Sequence, residues 1–228
     1  LVEEFLLYLG AVRGLSENTV LGYKNDLKEL QKFLAPTLDI QTITKENLLL
    51  SIGQLSKEKK AAASVNRFIA AVRTMFSYAL KFGYIKKNPA LELKTVKLPK
   101  RVPNFMTQPE VNQLCEQPVN NELLWEKRDH ALFTMMYSSG CRISEITNLK
   151  LDDFMDNYHS AIVTGKGNKQ RKVFFAQEAR NALALYLQDR KKVLESHNIA
   201  EPTRQVFINQ KGHPLSVGGV RFIISKYA

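Results

Sequence analysis

Apolar side chains recur at helical spacing from the first residue of the chain. Leu1, Phe5 and Leu9, joined by Val2 and Leu6, make one stripe. Ser16 stands where a helix N-cap is wanted. Val20, Tyr23, Leu27, Leu30 and Leu34 then share one side of a helix to about Leu34, with Pro36 just beyond its end. Thr44 caps a shorter helix carrying Leu48, Ile52 and Leu55. The longest helix is expected from Ala61 to Phe82, with Val65, Ile69, Val72, Phe76 and Leu80 inward and Gly83 at its left-handed C-terminal position. Asn88-Pro89 breaks the chain, so residues 1–93 read as one helical domain.

Residues 94–105 lose both structural periods and carry two prolines and four bases, the pattern of a basic linker. A second domain is expected over 106–228. Thr107-x-x-Glu110 is a capping-box pattern and predicts a helix to Cys115. Another helix should run from about Leu123 to Tyr137 and stop at Ser138-Ser139-Gly140, and a short one should cover Ser144–Leu149. Ala161–Val163, Lys172–Phe175 and Val206–Ile208 read as strands, with a hairpin tip at 165–169. An amphipathic helix spans Gln177–Leu194, and Ser216 caps a last one. The expected fold is mainly α with two domains, the second of α+β type with a small three-stranded antiparallel sheet.

Composition narrows the function. The chain has 228 residues, 44% of them apolar, enough for a sizeable core. It has no apolar run long enough to span a membrane, and its first residues carry acids where a signal peptide carries bases. Cys115 and Cys141 are isolated, so a reduced, cytoplasmic protein without a metal site is expected. The formal charge of +11 is unevenly spread: residues 1–50 have a net −2, residues 51–100 a net +9 and the rest +4. A concentrated basic stretch is the footprint of a polyanion binder, although a merely soluble basic surface gives the same count.

Common enzyme signatures are absent: there is no G-x-G-x-x-G, no P-loop spacing around Gly165-Lys166-Gly167, no G-x-S-x-G, and His130, His159, His197 and His213 are scattered. Two basic motifs remain. In Tyr137-Ser-Ser-Gly-Cys-Arg142-Ile-Ser-Glu145-Ile-Thr-Asn-Leu149 an arginine sits between two apolar helices, with Leu132, Phe133, Met136, Ile146 and Leu149 expected to be buried around it. Glu145, one turn on, can pair with it, and on residue physics alone a structural ion pair is the commoner arrangement. In Gly165-Lys166-Gly167-Asn168-Lys169-Gln170-Arg171-Lys172 four bases crowd a glycine-permitted turn suited to phosphates or a groove, or simply to a solvated hairpin end.

Together these motifs resemble the tyrosine site-specific recombinases of the Xer/phage-integrase family. Residues 140–149 match its Gly-x-Arg-x-x-Glu-[aliphatic]-x-x-Leu pattern, and residues 165–169 match its Gly-Lys-Gly-x-Lys hairpin. Ser16–Leu27, Val65–Arg73 and Asn88-Pro89-Ala90 look like the family's SAM-like core-binding domain. The resemblance implies a core-binding domain at 1–93, a linker at 94–105 and a catalytic domain at 106–228. It implies strand cleavage and rejoining through a 3′-phosphotyrosyl link, without metal or nucleotide cofactor. Arg142 and Lys166 would be catalytic, with Glu145 supporting. Thr19, Tyr23, Lys24, Arg67, Arg73, Lys169 and Arg171 would contact DNA. Implied partners are double-stranded DNA and further protomers in a tetramer on two sites. The family's His-x-x-Arg box is missing, and Tyr227 lies in the helix that should precede it. The chain is therefore expected to be a truncated, inactive part of such an enzyme. The short N-terminus favours Xer-type chromosome-dimer resolution, with a mobile-element integrase or a non-catalytic DNA-binding module as alternatives.

Overall fold

The computed structural model describes residues 1–34, 39–99, 104–121 and 124–228. Pro36, the start of a helix at Leu123 and linker positions 100–103 lie outside them. The chain divides into two compact units, Leu1–Val102 and Pro103–Ala228.

The first unit is helical. α1 (Val2–Leu7) continues into a wider π turn at Tyr8–Val12, followed by α2 (Glu17–Phe33), α3 (Lys45–Lys57) and α4 (Ala62–Lys81). Ser16 caps α2 by accepting from Thr19 N–H, and Thr44 and Asn47 cap α3 reciprocally. α4 supplies the centre of the core: Val65, Phe68, Ile69, Val72, Met75, Phe76 and Ala79 are buried with Phe5, Leu9, Leu27, Leu30, Leu48 and Leu55. Leu80, expected inward, is 43% exposed. The buried stripe steps from Phe76 to Ala79 rather than to Leu80, which turns Leu80 off the interior face. The first residues of the expected linker are tied to this unit, since Asn66 exchanges two hydrogen bonds with the backbone of Val96 at 2.7 and 2.9 Å.

The second unit contains α5 (Gln108–Asn120), α6 (Glu126–Ser139), α7 (Ile143–Asn148), β1 (Phe154–Met155), β2 (Ser160–Thr164), β3 (Gln170–Phe174), α8 (Gln177–Ser196) and α9 (Val217–Tyr227). α5 starts as expected, with the Glu110 carboxylate accepting from Thr107 N–H at 2.6 Å. It then runs past Cys115 to Asn120 and carries Pro118 inside it. Proline so near a helix end removes one hydrogen bond without stopping the turn.

The sheet is three-stranded and antiparallel in the order β1-β2-β3, but its third strand is not Val206–Ile208. Phe154–Met155 takes that place, because Asp156, Asn157 and Tyr158 all adopt left-handed backbone and reverse the chain tightly into β2. Val206–Ile208 is buried, yet its backbone is satisfied mostly from elsewhere. Leu149 C=O accepts from Val206 N–H at 2.9 Å, and Val206 C=O accepts from Tyr186 Oη and Arg190 Nε, both at 3.1 Å. Ile208 N–H donates to Tyr186 Oη at 2.9 Å. Side chains of α8 thus share the work of a neighbouring strand with single backbone bonds from Leu149 and Leu215.

Candidate active site

α6 ends where Gly140 takes a left-handed conformation (φ 61°) and donates its N–H to Met136 C=O. The chain turns sharply, and Arg142 becomes the first, extended residue ahead of α7. Its backbone N–H has no partner within the helix, and Glu145 Oε2 accepts it at 2.8 Å. Glu145 therefore folds back under the start of α7, where its side chain is 1% exposed.

β2 and β3 pair in register, Val163 opposite Arg171 and Thr164 opposite Gln170. Gly165 N–H donates to Lys169 C=O at 2.8 Å, closing a short turn through Lys166, Gly167 and Asn168. This hairpin lies against α7. A Cβ at Gly165 would stand 2.8 Å from Glu145 Oε1 and 3.7 Å from Arg142 Nη1. Only glycine permits that approach. The two motifs that flank the sequence between 142 and 165 are therefore brought together.

Two guanidiniums meet on one carboxylate oxygen. Glu145 Oε1 accepts from Arg142 Nη1 at 2.9 Å and from Arg171 Nη1 at 2.6 Å. Arg171 Nη2 also donates to Gly140 C=O at 3.3 Å. The Arg171 bond, reinforced by the Arg142 backbone and side chain, holds the Glu145 carboxyl down to about 2 against the opposing effect of burial. The same carboxylate raises the Arg171 guanidinium above its ordinary value. Arg142 itself is not buried. Its side chain is 69% exposed while Glu145 is enclosed, although the apolar setting of the motif predicts a buried arginine. The cause is its N-cap position, from which the side chain leaves the junction while the carboxylate three residues on fills it. Of the residues expected around it, Leu132, Phe133, Ile146 and Leu149 are buried and Met136 is partly so.

The other candidates divide. Lys166 and Lys169 are exposed on the turn and have no ion-pair partner among the described residues. Arg171 is not a free cation but is turned onto Glu145 and Gly140. In the first unit Thr19, Tyr23 and Asp26 follow one another along one face of α2. Arg67 of α4 spans that face with two bonds to Asp26 at 2.8 and 2.9 Å. Thr19 shares a hydroxyl contact with Ser16, Tyr23 packs on the core, and Lys24 is exposed. Arg73 donates to the Leu93 carbonyl, away from that cluster. Sequence reasoning thus placed Arg67 and Arg73 as outward contacts without seeing the groups that hold them. A buried aspartate seven residues after Thr19 was the available signal for Arg67.

Tyr227 is nearly buried in α9. It stacks edge-on against Phe133 and donates to Asp129 Oδ2 at 3.3 Å, and burial raises its phenol. No group of three or more His, Cys, Asp and Glu side chains able to hold a metal occurs among the described residues. No described helix is long and apolar enough to cross a membrane.

Comparison with known proteins places both units. Residues 2–83 match the family model described as phage integrase, N-terminal SAM-like domain, and residues 104–228 match the phage integrase family. The chain is 37% identical to tyrosine recombinase XerC of Treponema denticola over 99% of its own length and 76% of that protein. It is 34% identical to XerC of Oceanobacillus iheyensis, covering 99% and 74%. It is 29% identical to tyrosine recombinase XerD of Staphylococcus haemolyticus, covering 100% and 76%. Its fold is similar to that of a lambda integrase dimer bound to a COC′ core site (TM-score 0.74, 17% identity, 99% of this chain and 61% of that one). It is also similar to a lambda integrase tetramer bound to a Holliday junction (TM-score 0.72, 18% identity, 98% and 63%).

Proposed function

Because the chain belongs to the phage integrase family, we propose that it serves site-specific DNA recombination, cutting and rejoining strands through a 3′-phosphotyrosyl intermediate. The observation that carries the assignment of roles is the exposed Arg142 guanidinium seated on buried Glu145 beside the Lys166 turn.

The chemistry follows from the groups. A phosphodiester under attack gathers negative charge on its non-bridging oxygens, and a preorganised cation is worth most there. Arg142 contributes one donor to Glu145 and, among the described residues, keeps Nε and Nη2 free of protein partners. A guanidinium held at one end can present its remaining donors to two phosphate oxygens. Glu145 stays ionised and orients Arg142 without reacting. Lys166, on a turn that no core packing restrains, protonates the leaving 5′-oxygen. The attacking phenol is not that of Tyr227, which is enclosed and hydrogen-bonded to Asp129. The linkage conserves the phosphodiester bond energy, so the residues need no nucleotide cofactor or metal.

The partners in this proposal are double-stranded DNA and further protomers, four on two sites, with the protein acting in the cytoplasm. The names of the relatives favour Xer-type chromosome-dimer resolution over movement of a mobile element. Residues 1–93 serve as the core-binding domain and 106–228 as the catalytic one, with Thr19, Tyr23, Lys24 and Lys169 as DNA contacts. Arg67 contributes through the donors Asp26 leaves open, and Arg73 by shaping the exit of the domain.

The test is strand cleavage by the intact gene product on a nicked duplex bearing its site, read as a covalent adduct on a denaturing gel. Arg142→Ala should abolish the adduct and leave DNA affinity nearly intact, while Tyr227→Phe should leave the adduct in place. Loss of the adduct in Tyr227→Phe without loss of folding, or a normal adduct in Arg142→Ala, overturns the assignment. Deletion of the gene should leave chromosome dimers unresolved in the host; resolved dimers with an immobilised genetic element favour the integrase role.

A further inference from the structure

Arg171 has no part in the chemistry above, yet it makes the shortest bond to Glu145. Its side chain is 39% exposed against 69% for Arg142, so of the two guanidiniums it is the one drawn inward. We propose that Arg171 is a positioning residue: by occupying Glu145 it restricts Arg142 to a single-point contact and keeps the phosphate-binding edge of Arg142 open. This rests on the assignment of Arg142 as the phosphate ligand.

A carboxylate facing one guanidinium pairs most strongly through two parallel N–H···O bonds. Such a pair between Glu145 and Arg142 would consume the donors a phosphate needs, and the two charges would cancel. Here the second bond is denied. Oε2 is taken by the backbone N–H of Arg142 at 2.8 Å, and Oε1 is shared with Arg171 at 2.6 Å. Arg171 is fixed at its other end by the Gly140 carbonyl, on the turn that sets the course of Arg142. Gly165 lies on the remaining side, where an added Cβ would stand only 2.8 Å from Oε1. With two guanidiniums on one carboxylate, the group keeps a net positive charge at its exposed face.

The device also joins two segments. Arg171 is the second residue of β3, six positions after Gly165 at the start of the turn, and Glu145 belongs to α7. Their bond therefore holds the Lys166 turn against the Arg142 junction. A residue that merely touched DNA would do neither.

The experiment is a double-substitution cycle in the intact gene product, with cleavage rate at saturating DNA and DNA affinity measured separately. Arg171→Gln should slow cleavage by roughly 10²-fold, the scale of a small misplacement of a reacting group, with little change in affinity. Adding Glu145→Gln removes the charge that captures Arg142 but keeps an amide oxygen as acceptor, so the double variant should be faster than Arg171→Gln while staying slower than the parent. Arg171→Lys keeps the charge but cannot span Glu145 and Gly140 together, and should be slowed and rescued in the same way. It carries the comparison if Arg171→Gln does not fold. An unchanged rate in Arg171→Gln, or a double variant no faster than the single one, overturns the proposal while leaving Arg142 as phosphate ligand. Normal cleavage by Arg142→Ala removes that assignment and this proposal with it.

Discussion

In the second unit the Arg128–Asp129 and Arg142–Glu145 pairs have equally enclosed carboxylates but very differently exposed arginines. In Arg128–Asp129 the side chains are 2% and 0% exposed, with Nε 2.7 Å from Oδ1. The Arg128 guanidinium lies over the Trp125 ring at 5.2 Å, and Asp129 also accepts from Trp125 N–H and Tyr227 Oη. In Arg142–Glu145 the carboxylate is 1% exposed and the guanidinium 69%. An ion pair is thus no mark of function. What separates the two is whether the cation, once held, still faces a possible ligand. The first pair locks a core; the second mounts a cation on one.

The sharpest way to break this comparison is on rate. Lys166, like Arg142, stands outside the packed core, and Lys166→Ala should slow cleavage of natural DNA by roughly 10²–10⁴-fold in the intact gene product. Its unfolding free energy should stay within about 0.5 kcal/mol of the parent. A substrate with sulfur in place of the bridging 5′-oxygen leaves without a proton, so it should restore much of the Lys166→Ala rate and little of the Arg142→Ala rate. If sulfur rescues neither, Lys166 is turn charge and Lys169 becomes the next proton donor to test.

The core pair should respond in stability instead. Arg128→Ala strands the Asp129 carboxylate in the interior and should cost about 3–5 kcal/mol by denaturant unfolding. Arg142→Ala should cost far less, because the Glu145 carboxylate retains Arg171 and the Arg142 backbone N–H. Equal losses in the two variants would erase the distinction.

Acid sharpens it further. The folded state holds Glu145 at about 2, below its ordinary 4.5, mainly through Arg171. A carboxyl depressed on folding contributes stability that is present above the unfolded value and lost as pH falls through the folded one. The protein should therefore lose on the order of 2 kcal/mol between about pH 4.5 and 2 through this group, after allowance for screening of its two partly exposed arginines. Unfolding curves of the parent and Glu145→Gln across that range should converge at the acid end. Parallel curves would mean that Glu145 is not seated as described.

The smallest effect falls on Gly165. An added methyl would meet Glu145 Oε1 at 2.8 Å, and that oxygen is pinned by two arginines. Gly165→Ala should cost about 1–3 kcal/mol, as crowding in a packed site does. It should also slow cleavage, because the crowded oxygen is the one that seats Arg142.

Much of this was legible in the sequence, for identifiable reasons. The caps at Ser16, Thr44, Thr107 and Ser216 announce helices because the first N–H groups of a helix have no partner within it and a short polar side chain at its start can supply one. The pairing of Arg142 with Glu145 follows from helical spacing, and the turn at 165–169 from its glycines. The contacts of Arg171 did not show, because they cross from β3 to α7 and depend on sheet register. Nor did the exposure of Arg142 above an enclosed Glu145, which depends on the hairpin covering the carboxylate. Val206–Ile208 reads as a strand because its composition suits any buried extended segment, and composition does not say whether a strand or a side chain will satisfy the backbone.

That last segment behaves unlike either a strand or a loop when solvent deuterium competes for its amides. The Ile208 amide is guarded by the single phenolic oxygen of Tyr186, itself enclosed in the core. Its protection should therefore track the opening of α8 rather than that of the sheet. Tyr186→Phe would expose this one site to exchange while the amides of β2 and β3 stay slow, so that a single phenol keeps a stretch of backbone in step with a helix twenty residues before it in sequence.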